Sequence, residues 1–222
     1  MEMALISIIR HGETEHNNKK IIQGHLEIPL NKKGREQVKL LAERLSNTHI
    51  SMILSSDLKR AKQTAEIIKM MHPESPKIAY FDALRERMLG KWEGKPFEEY
   101  LLEKKKNNNL EPEGVENTEI FWERINKAKQ LIMRMLEEKI KNEKNNAHLV
   151  VVSHGGTIRR IITAFLFPQY KEPFPTRIDN ASITQIEYLL EPLNYGSVKQ
   201  NLIIKILNST CHLEGNITLK EC

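Results

Sequence analysis

Two short β-rich apolar runs, Ala4–Ile9 and His148–Val152, end alike, in a polar residue, a histidine and a glycine. Arg10-His11-Gly12 closes the first and Ser153-His154-Gly155-Gly156 closes the second. Runs this short and this apolar read as strands buried on both faces, which requires helices on both sides of a sheet. The sequence between them supplies such helices. Asn31 caps a helix over Lys32–Leu45, with Val38, Leu41, Ala42 and Leu45 on one face. Ser51–Leu54 reads as a strand, and Ser56 or Asp57 as the cap of a helix carrying Leu58, Ala61, Ala65 and Ile68 on one side. Lys77–Phe81 fits a third strand, Asp82–Gly94 a loop and Pro96–Lys105 a helix. Lys104–Gly114 is polar and asparagine-rich, and is expected to be a mobile loop. Asn117 opens a long helix to about Lys141, striped by Phe121, Ile125, Ala128, Ile132 and Leu136. Thr157–Phe167 is expected to be helical, and Ser182–Leu189 and Asn201–Leu207 to form an antiparallel pair. The last fifteen residues have no clear period.

Strands alternating with helices predict an α/β fold, a three-layer αβα sandwich around a mostly parallel sheet. With 222 residues the chain fits one domain, 1–222, with a helical and loop excursion over about 82–147. Hydrophobic residues at 40% and charged residues at 28% support a packed core and exclude wholesale disorder. The net charge of +5 favours anionic ligands but is too dispersed to indicate nucleic acid. No apolar run approaches the ~18 residues a membrane span needs, and Met1–Ile9 does not read as a signal peptide. The two cysteines, Cys211 and Cys222, exclude a disulfide framework and read as free thiols of a reducing compartment, so a cytoplasmic location is expected. The Asn-X-Ser/Thr matches at Asn180, Asn208 and Asn216 read as chance. A homodimer is compatible with the sequence.

In parallel sheets ligands bind at the carboxyl ends of strands, where His11 and His154 fall. Arg10 beside His11 suits an anion, because a guanidinium grips phosphate or carboxylate in a bidentate fashion and keeps the imidazole neutral and nucleophilic. Arg60 lies in the first turn of a helix, where the helix dipole disfavours a cation, so a charge partner is expected for it. In Leu84-Arg85-Glu86-Arg87, Glu86 is the candidate general acid, since a carboxylate beside bound phosphate is driven towards protonation.

Together these segments resemble the histidine phosphatase superfamily, with its phosphoglycerate-mutase-like fold. The matching stretches are Arg10-His11-Gly12-Glu13-Thr14 with Asn17, Ser56–Ala65 with Arg60, Leu84-Arg85-Glu86 with Gly90 and Trp92-Glu93-Gly94, and Ser153-His154-Gly155-Gly156. Gly24, Pro29-Leu30-Asn31 and Gly34 fit the linking stretch, with Glu27 where an aspartate is common. The resemblance runs from about Ile6 to Tyr188. It implies His11 as nucleophile, Arg10, Arg60 and His154 as ligands of the phosphoryl group, and Glu86 as acid and then base. It also implies an added hydrogen bond from Asn17, Gln23, Gly24, Arg87 and Gly155 on the substrate side, and neither metal nor cofactor. The expected partner is a small phosphate ester.

The expected reaction is hydrolysis of a phosphate monoester through a phosphohistidine; the alternative is a phosphoglycerate mutase. Where related mutases read Glu-Arg-His-Tyr-Gly, this chain reads Glu86-Arg87-Met88-Leu89-Gly90. The interval from Glu86 to His154 is also shorter than in mutases. A non-catalytic phosphate-binding module would lack a catalytic group, and none is missing. A zinc hydrolase built on His11 and His154 lacks a third ligand.

Overall fold

The computed structural model describes residues 2–108, 110–143, 146–192 and 198–214. Its strands are β1 (Glu2–Arg10), β2 (Met52–Ser56), β3 (Ile78–Phe81), β4 (His148–Ser153), β5 (Ile183–Pro192) and β6 (Val198–Ser209). Its α-helices are α1 (Glu15–Asn18), α2 (Lys32–Leu45), α3 (Lys59–Met71), α4 (Phe97–Lys106), α5 (Thr118–Glu143) and α6 (Gly155–Leu166). The strands form one sheet in the order β3-β2-β4-β1-β5-β6. β1 to β4 are mutually parallel, and β5 runs antiparallel to both neighbours, so the sheet is mixed and mostly parallel.

Successive residues of a strand face opposite sides, and both sides are apolar. Ile6, Ile8, Leu149 and Val151 pack under α5 and α6, against Phe121, Ile125, Ile132 and Ile161. Ile9, Ile53, Val150 and Val152 pack under α2 and α3, against Val38, Leu41, Ala65 and Ile68. Each such fully buried side chain contributes about 1.5–3 kcal/mol by leaving water. A smaller cluster of Ile22, Trp92 and Tyr100 packs the segment after β3 against the segment after α1.

Several boundaries differ from the sequence reading. Leu58, not Ser56 or Asp57, is the N-cap of α3, and it makes no side-chain capping bond. Glu27 Oε2 instead accepts from the Lys59 amide at 2.7 Å. Asp57 is drawn away by a bidentate pair with Arg85 at 2.7 and 2.6 Å. α6 starts at Gly155 rather than Thr157. The polar stretch expected to be loose is helical through Lys106 and then anchored, because Glu111 accepts from Arg87, Lys104 and Tyr100. The late strands are longer than expected, and a 3-10 turn follows at Cys211–Leu213. Asn180 and Asn208 bond to the fold itself, to the His11 carbonyl and to Asp179. Cys222 and Asn216 lie outside the described residues.

Candidate active site

β1 and β4 are adjacent, and their register pairs Arg10 with Ser153, so the residues that follow, His11 and His154, emerge side by side. Their rings lie 5.1 Å apart, and both are buried, at 2% and 0% exposure. His11 Nδ1 is 2.7 Å from the Gly12 carbonyl oxygen. A carbonyl only accepts, so Nδ1 carries the proton and the Nε2 lone pair is left for a ligand. Burial holds the His11 pKa well below 6.5, and the charges of Arg60 and Arg10 push it the same way. The ring is therefore neutral at pH 7.

His154 is the other tautomer. Arg60 Nε donates to its Nδ1 at 3.1 Å, so Nε2 carries the proton and donates to Ser56 Oγ at 2.8 Å. Burial likewise holds its pKa well below 6.5, with the Arg60 charge next in weight. Arg60 itself is 1% exposed. The charge partner expected for it is not a carboxylate in contact: its other nitrogens donate to the carbonyls of Gly24 at 2.8 Å and Leu26 at 2.9 Å. Burial lowers its pKa to about 10, so it stays charged at neutral pH. Arg10 donates through Nη1 to the Ile178 carbonyl at 2.6 Å, while its buried Nε has no partner among the described residues. An unpartnered buried donor is free to bond a water or an anion that enters the site.

Glu86 closes the site from the loop after β3. Its Oε2 accepts from the Gly156 amide at 3.0 Å and its Oε1 from the Arg87 amide at 2.9 Å. Only glycine permits this approach, because a Cβ at position 156 would stand 2.6 Å from Glu86 Oε1. Gly155, beside it, lies against the Arg10 guanidinium. The Glu86 backbone is fixed by groups that the sequence reading passed over. Its carbonyl accepts from Arg124 Nη2 at 3.1 Å and lies 2.7 Å from His25 Nε2. Asn180 likewise donates to the His11 carbonyl at 3.1 Å. The only sequence signal for Arg124 is its place one residue before Ile125, in the apolar stripe of α5.

Arg10, His11, Arg60, Glu86, Asn17 and Gln23 border one cavity of about 720 Å³, together with Gly24, Arg87 and Gly155. That volume suits a small organic ligand. Thr14 caps α1, and its Oγ1 lies 3.0 Å from Asn17 Oδ1 and 2.9 Å from Gln23 Oε1. Asn180 also donates to Asn17 Oδ1. These contacts all use the Asn17 oxygen, which leaves its amide hydrogens for a ligand. His154 does not itself line the cavity, although Gly155 and Gly156 do, and both its ring nitrogens have protein partners. Arg87 is also present but committed: it donates to Glu111, to the Glu116 carbonyl and to Thr118. Among the described residues, no three His, Cys, Asp or Glu side chains come together as a metal-ligand set. No helix among them is long and apolar enough to cross a membrane.

Known proteins resemble this chain in sequence and in fold. The sequence model of the histidine phosphatase superfamily (branch 1) matches residues 6–192. A broad-specificity phosphatase of Saccharomyces cerevisiae is 32% identical over 220 residues, covering 96% of this chain and 90% of that protein. Phosphoserine phosphatase 1 of Hydrogenobacter thermophilus is 29% identical over 220 residues, covering 95% of each. Among solved structures, phosphoglycerate mutase from Bacillus anthracis superposes with a TM-score of 0.74 at 24% identity, covering 96% of both chains, a likeness of fold. The chain belongs to the histidine phosphatase superfamily. It is a phosphatase, of the class that uses a histidine nucleophile.

Proposed function

We propose that the protein hydrolyses small phosphate monoesters in two displacements at one phosphorus, with His11 as nucleophile. The observation that carries this reading is the neutral His11 tautomer with Nε2 unbonded among the described residues, on the wall of a cavity that Arg10 and the buried Arg60 also line. Arg10 and Arg60 take the phosphoryl oxygens and stabilise the charge of the transition state. Asn17 adds a hydrogen bond to the same group, and Gln23, Gly24 and Gly155 line the ester side. The committed Arg87 serves by shaping the wall rather than by gripping the substrate.

In the first displacement His11 Nε2 bonds to phosphorus as the ester P–O bond breaks, and Glu86, entering as the acid, gives its proton to the leaving oxygen. In the second, water attacks phosphorus, Glu86 takes the water's proton, and the P–N bond electrons return to Nε2. His154 joins the phosphoryl contacts by exchanging its bond from Arg60 for one to a phosphoryl oxygen. That exchange requires Nδ1 to take up a proton, which the substrate's phosphate monoanion supplies as it binds and the departing phosphate carries away. No step needs a metal, because the two guanidiniums supply the positive charge.

Two similarities favour water over a sugar acid as acceptor: the phosphatases named above, and the leucine at position 89, which offers no hydrogen bond to a carboxylate. The test is one preparation assayed for phosphate release across a panel of esters and, by coupling to enolase, for conversion of 3-phosphoglycerate to 2-phosphoglycerate. Hydrolysis is expected to dominate and to survive EDTA. Mutase turnover above hydrolysis would move the function to the mutase reading.

A further inference from the structure

Asn208 sits on a β-bulge of β6: β5 advances two residues from Ile183 to Gln185 while β6 recedes three, from Ser209 to Ile206. Its backbone is left-handed, with φ 51°, a conformation that asparagine tolerates better than most side chains. The Asn208 amide donates to Thr184 Oγ1 at 3.1 Å, which ties the bulge to β5. Both ends of its side chain go to Asp179. Oδ1 accepts from the Asp179 amide at 2.6 Å, and Nδ2 donates to Asp179 Oδ2 at 2.9 Å. Arg177 Nε takes the other carboxylate oxygen, also at 2.6 Å. The Asp179 amide shares a peptide plane with the Ile178 carbonyl, which accepts from Arg10 Nη1 at 2.6 Å. In a trans peptide C=O and N–H point opposite ways, so Asn208 and Arg10 grip the two sides of one plane. Hydrogen bonds joined in such a chain polarise one another, and the bond to Asn208 makes the carbonyl a better acceptor for Arg10. Burial lowers the Arg10 pKa, and the charges of Glu86 and Asp179 oppose that. Arg10, Arg177 and Ile178 line the cavity, whereas Asp179 and Asn208 stand behind it.

We propose that Asn208 is a positioning residue for the reaction, holding Asp179 and the Ile178–Asp179 peptide so that Arg10 presents its guanidinium to the phosphoryl group. This rests on the phosphatase reading above, in which Arg10 takes phosphoryl oxygens. Asn208 touches neither substrate nor reacting atoms. Without its side chain the Ile178–Asp179 peptide can turn about its flanking dihedrals, and Arg10 keeps its charge but loses its direction. A group that each substrate must first order contributes less to binding and to rate than one already aimed. The neighbouring contacts to β1 do not depend on Asn208 in the same way. Asn180 donates to the His11 carbonyl and to Asn17, and the Ala181 amide donates to the Arg10 carbonyl, each through its own bond. Arg10 is therefore the route by which Asn208 reaches the chemistry.

The experiment is a double-mutant cycle on kcat/KM for p-nitrophenyl phosphate, whose reactive leaving group keeps weak variants measurable. Asn208→Gly removes the side chain and suits the left-handed backbone. It is expected to lower kcat/KM at least fivefold in the wild type and less than twofold in Arg10→Gln, where the group it positions is already gone. A side chain that merely steadied the fold would give the same loss in both backgrounds. A loss below fivefold in the wild type, or of twofold or more in Arg10→Gln, overturns the inference. Should Asn208→Gly not fold, Asn208→Asp runs the same cycle with the same thresholds. It keeps the acceptor for the Asp179 amide and sets an oxygen in place of the donor that faces Asp179 Oδ2. Hydrolysis of p-nitrophenyl phosphate by the wild type, lost in His11→Ala, separates the two readings. If it is present, a failed cycle counts against Asn208 alone; if it is absent, the phosphatase reading fails and the inference with it.

Discussion

In the proposed mechanism Glu86 and His11 divide the chemistry, and each has its own signature. Glu86→Gln keeps the shape of the site but cannot protonate a leaving alkoxide, so turnover of alkyl phosphates should fall about 10²–10⁴-fold. The fall should shrink for p-nitrophenyl phosphate, whose leaving group needs little protonation; equal losses on both substrates would remove Glu86 from the acid role. His11 is held neutral by burial and by the Arg60 and Arg10 charges. Its lowered pKa keeps the nucleophile unprotonated as pH falls through 6.5, where an ordinary histidine is already half charged. The kcat/KM of the free enzyme should therefore hold through pH 6.5 and decline only in more acid solution. A limb with its midpoint at or above 6.5 would mean that His11 is not the group being read.

At the scale of elements, the site depends on how closely α6 meets the loop after β3. Gly156→Ala places a Cβ 2.6 Å from Glu86 Oε1 and must displace the carboxylate. Alkyl phosphate turnover should drop at least tenfold, while the unfolding midpoint moves little, since Ala suits a helix better than Gly. Unaltered turnover would show that the Gly156–Glu86 contact is dispensable. The sheet, the α2 and α5 stripes and the two strand-end histidines were legible in the sequence, because burial on both faces and helical spacing are local patterns. What stayed hidden was settled at long range. The α3 cap comes from Glu27, 32 residues upstream of the Lys59 amide it holds. Arg87, placed on the substrate side by the resemblance, lines the cavity, but nothing local shows that Glu111, Glu116 and Thr118 also hold it. The Gly155-Gly156 pair resembles a break before α6, yet the Glu86 carboxylate holds the Gly156 amide and the helix begins there.

Across the whole molecule, four buried histidines, His11, His148, His154 and His212, have lowered pKa values, two of them near 4. The unfolded chain takes up their protons below about pH 6.5 and the folded chain does not, so stability falls as pH drops from 6.5 towards 4. For His148 alone the loss at pH 5 is roughly 2 kcal/mol. His49 opposes this, because its bond to Glu143 raises its pKa and adds stability on the acid side, lost as pH rises through the folded value. Four groups against one predict a urea midpoint clearly lower at pH 5 than at pH 7, and a shallower dependence in His148→Asn; a midpoint unchanged or higher at pH 5 would contradict the linkage. In the proposed mechanism the fold presents one neutral imidazole to phosphorus beside the guanidiniums of Arg10 and the buried Arg60. The most direct test is to quench the enzyme during turnover of a ³²P-labelled ester that it hydrolyses, and to follow the label on the protein. A phosphoenzyme stable in base and labile in acid is expected, mapping to His11 and missing from His11→Ala. Label on another residue, or undiminished turnover by His11→Ala, would contradict it.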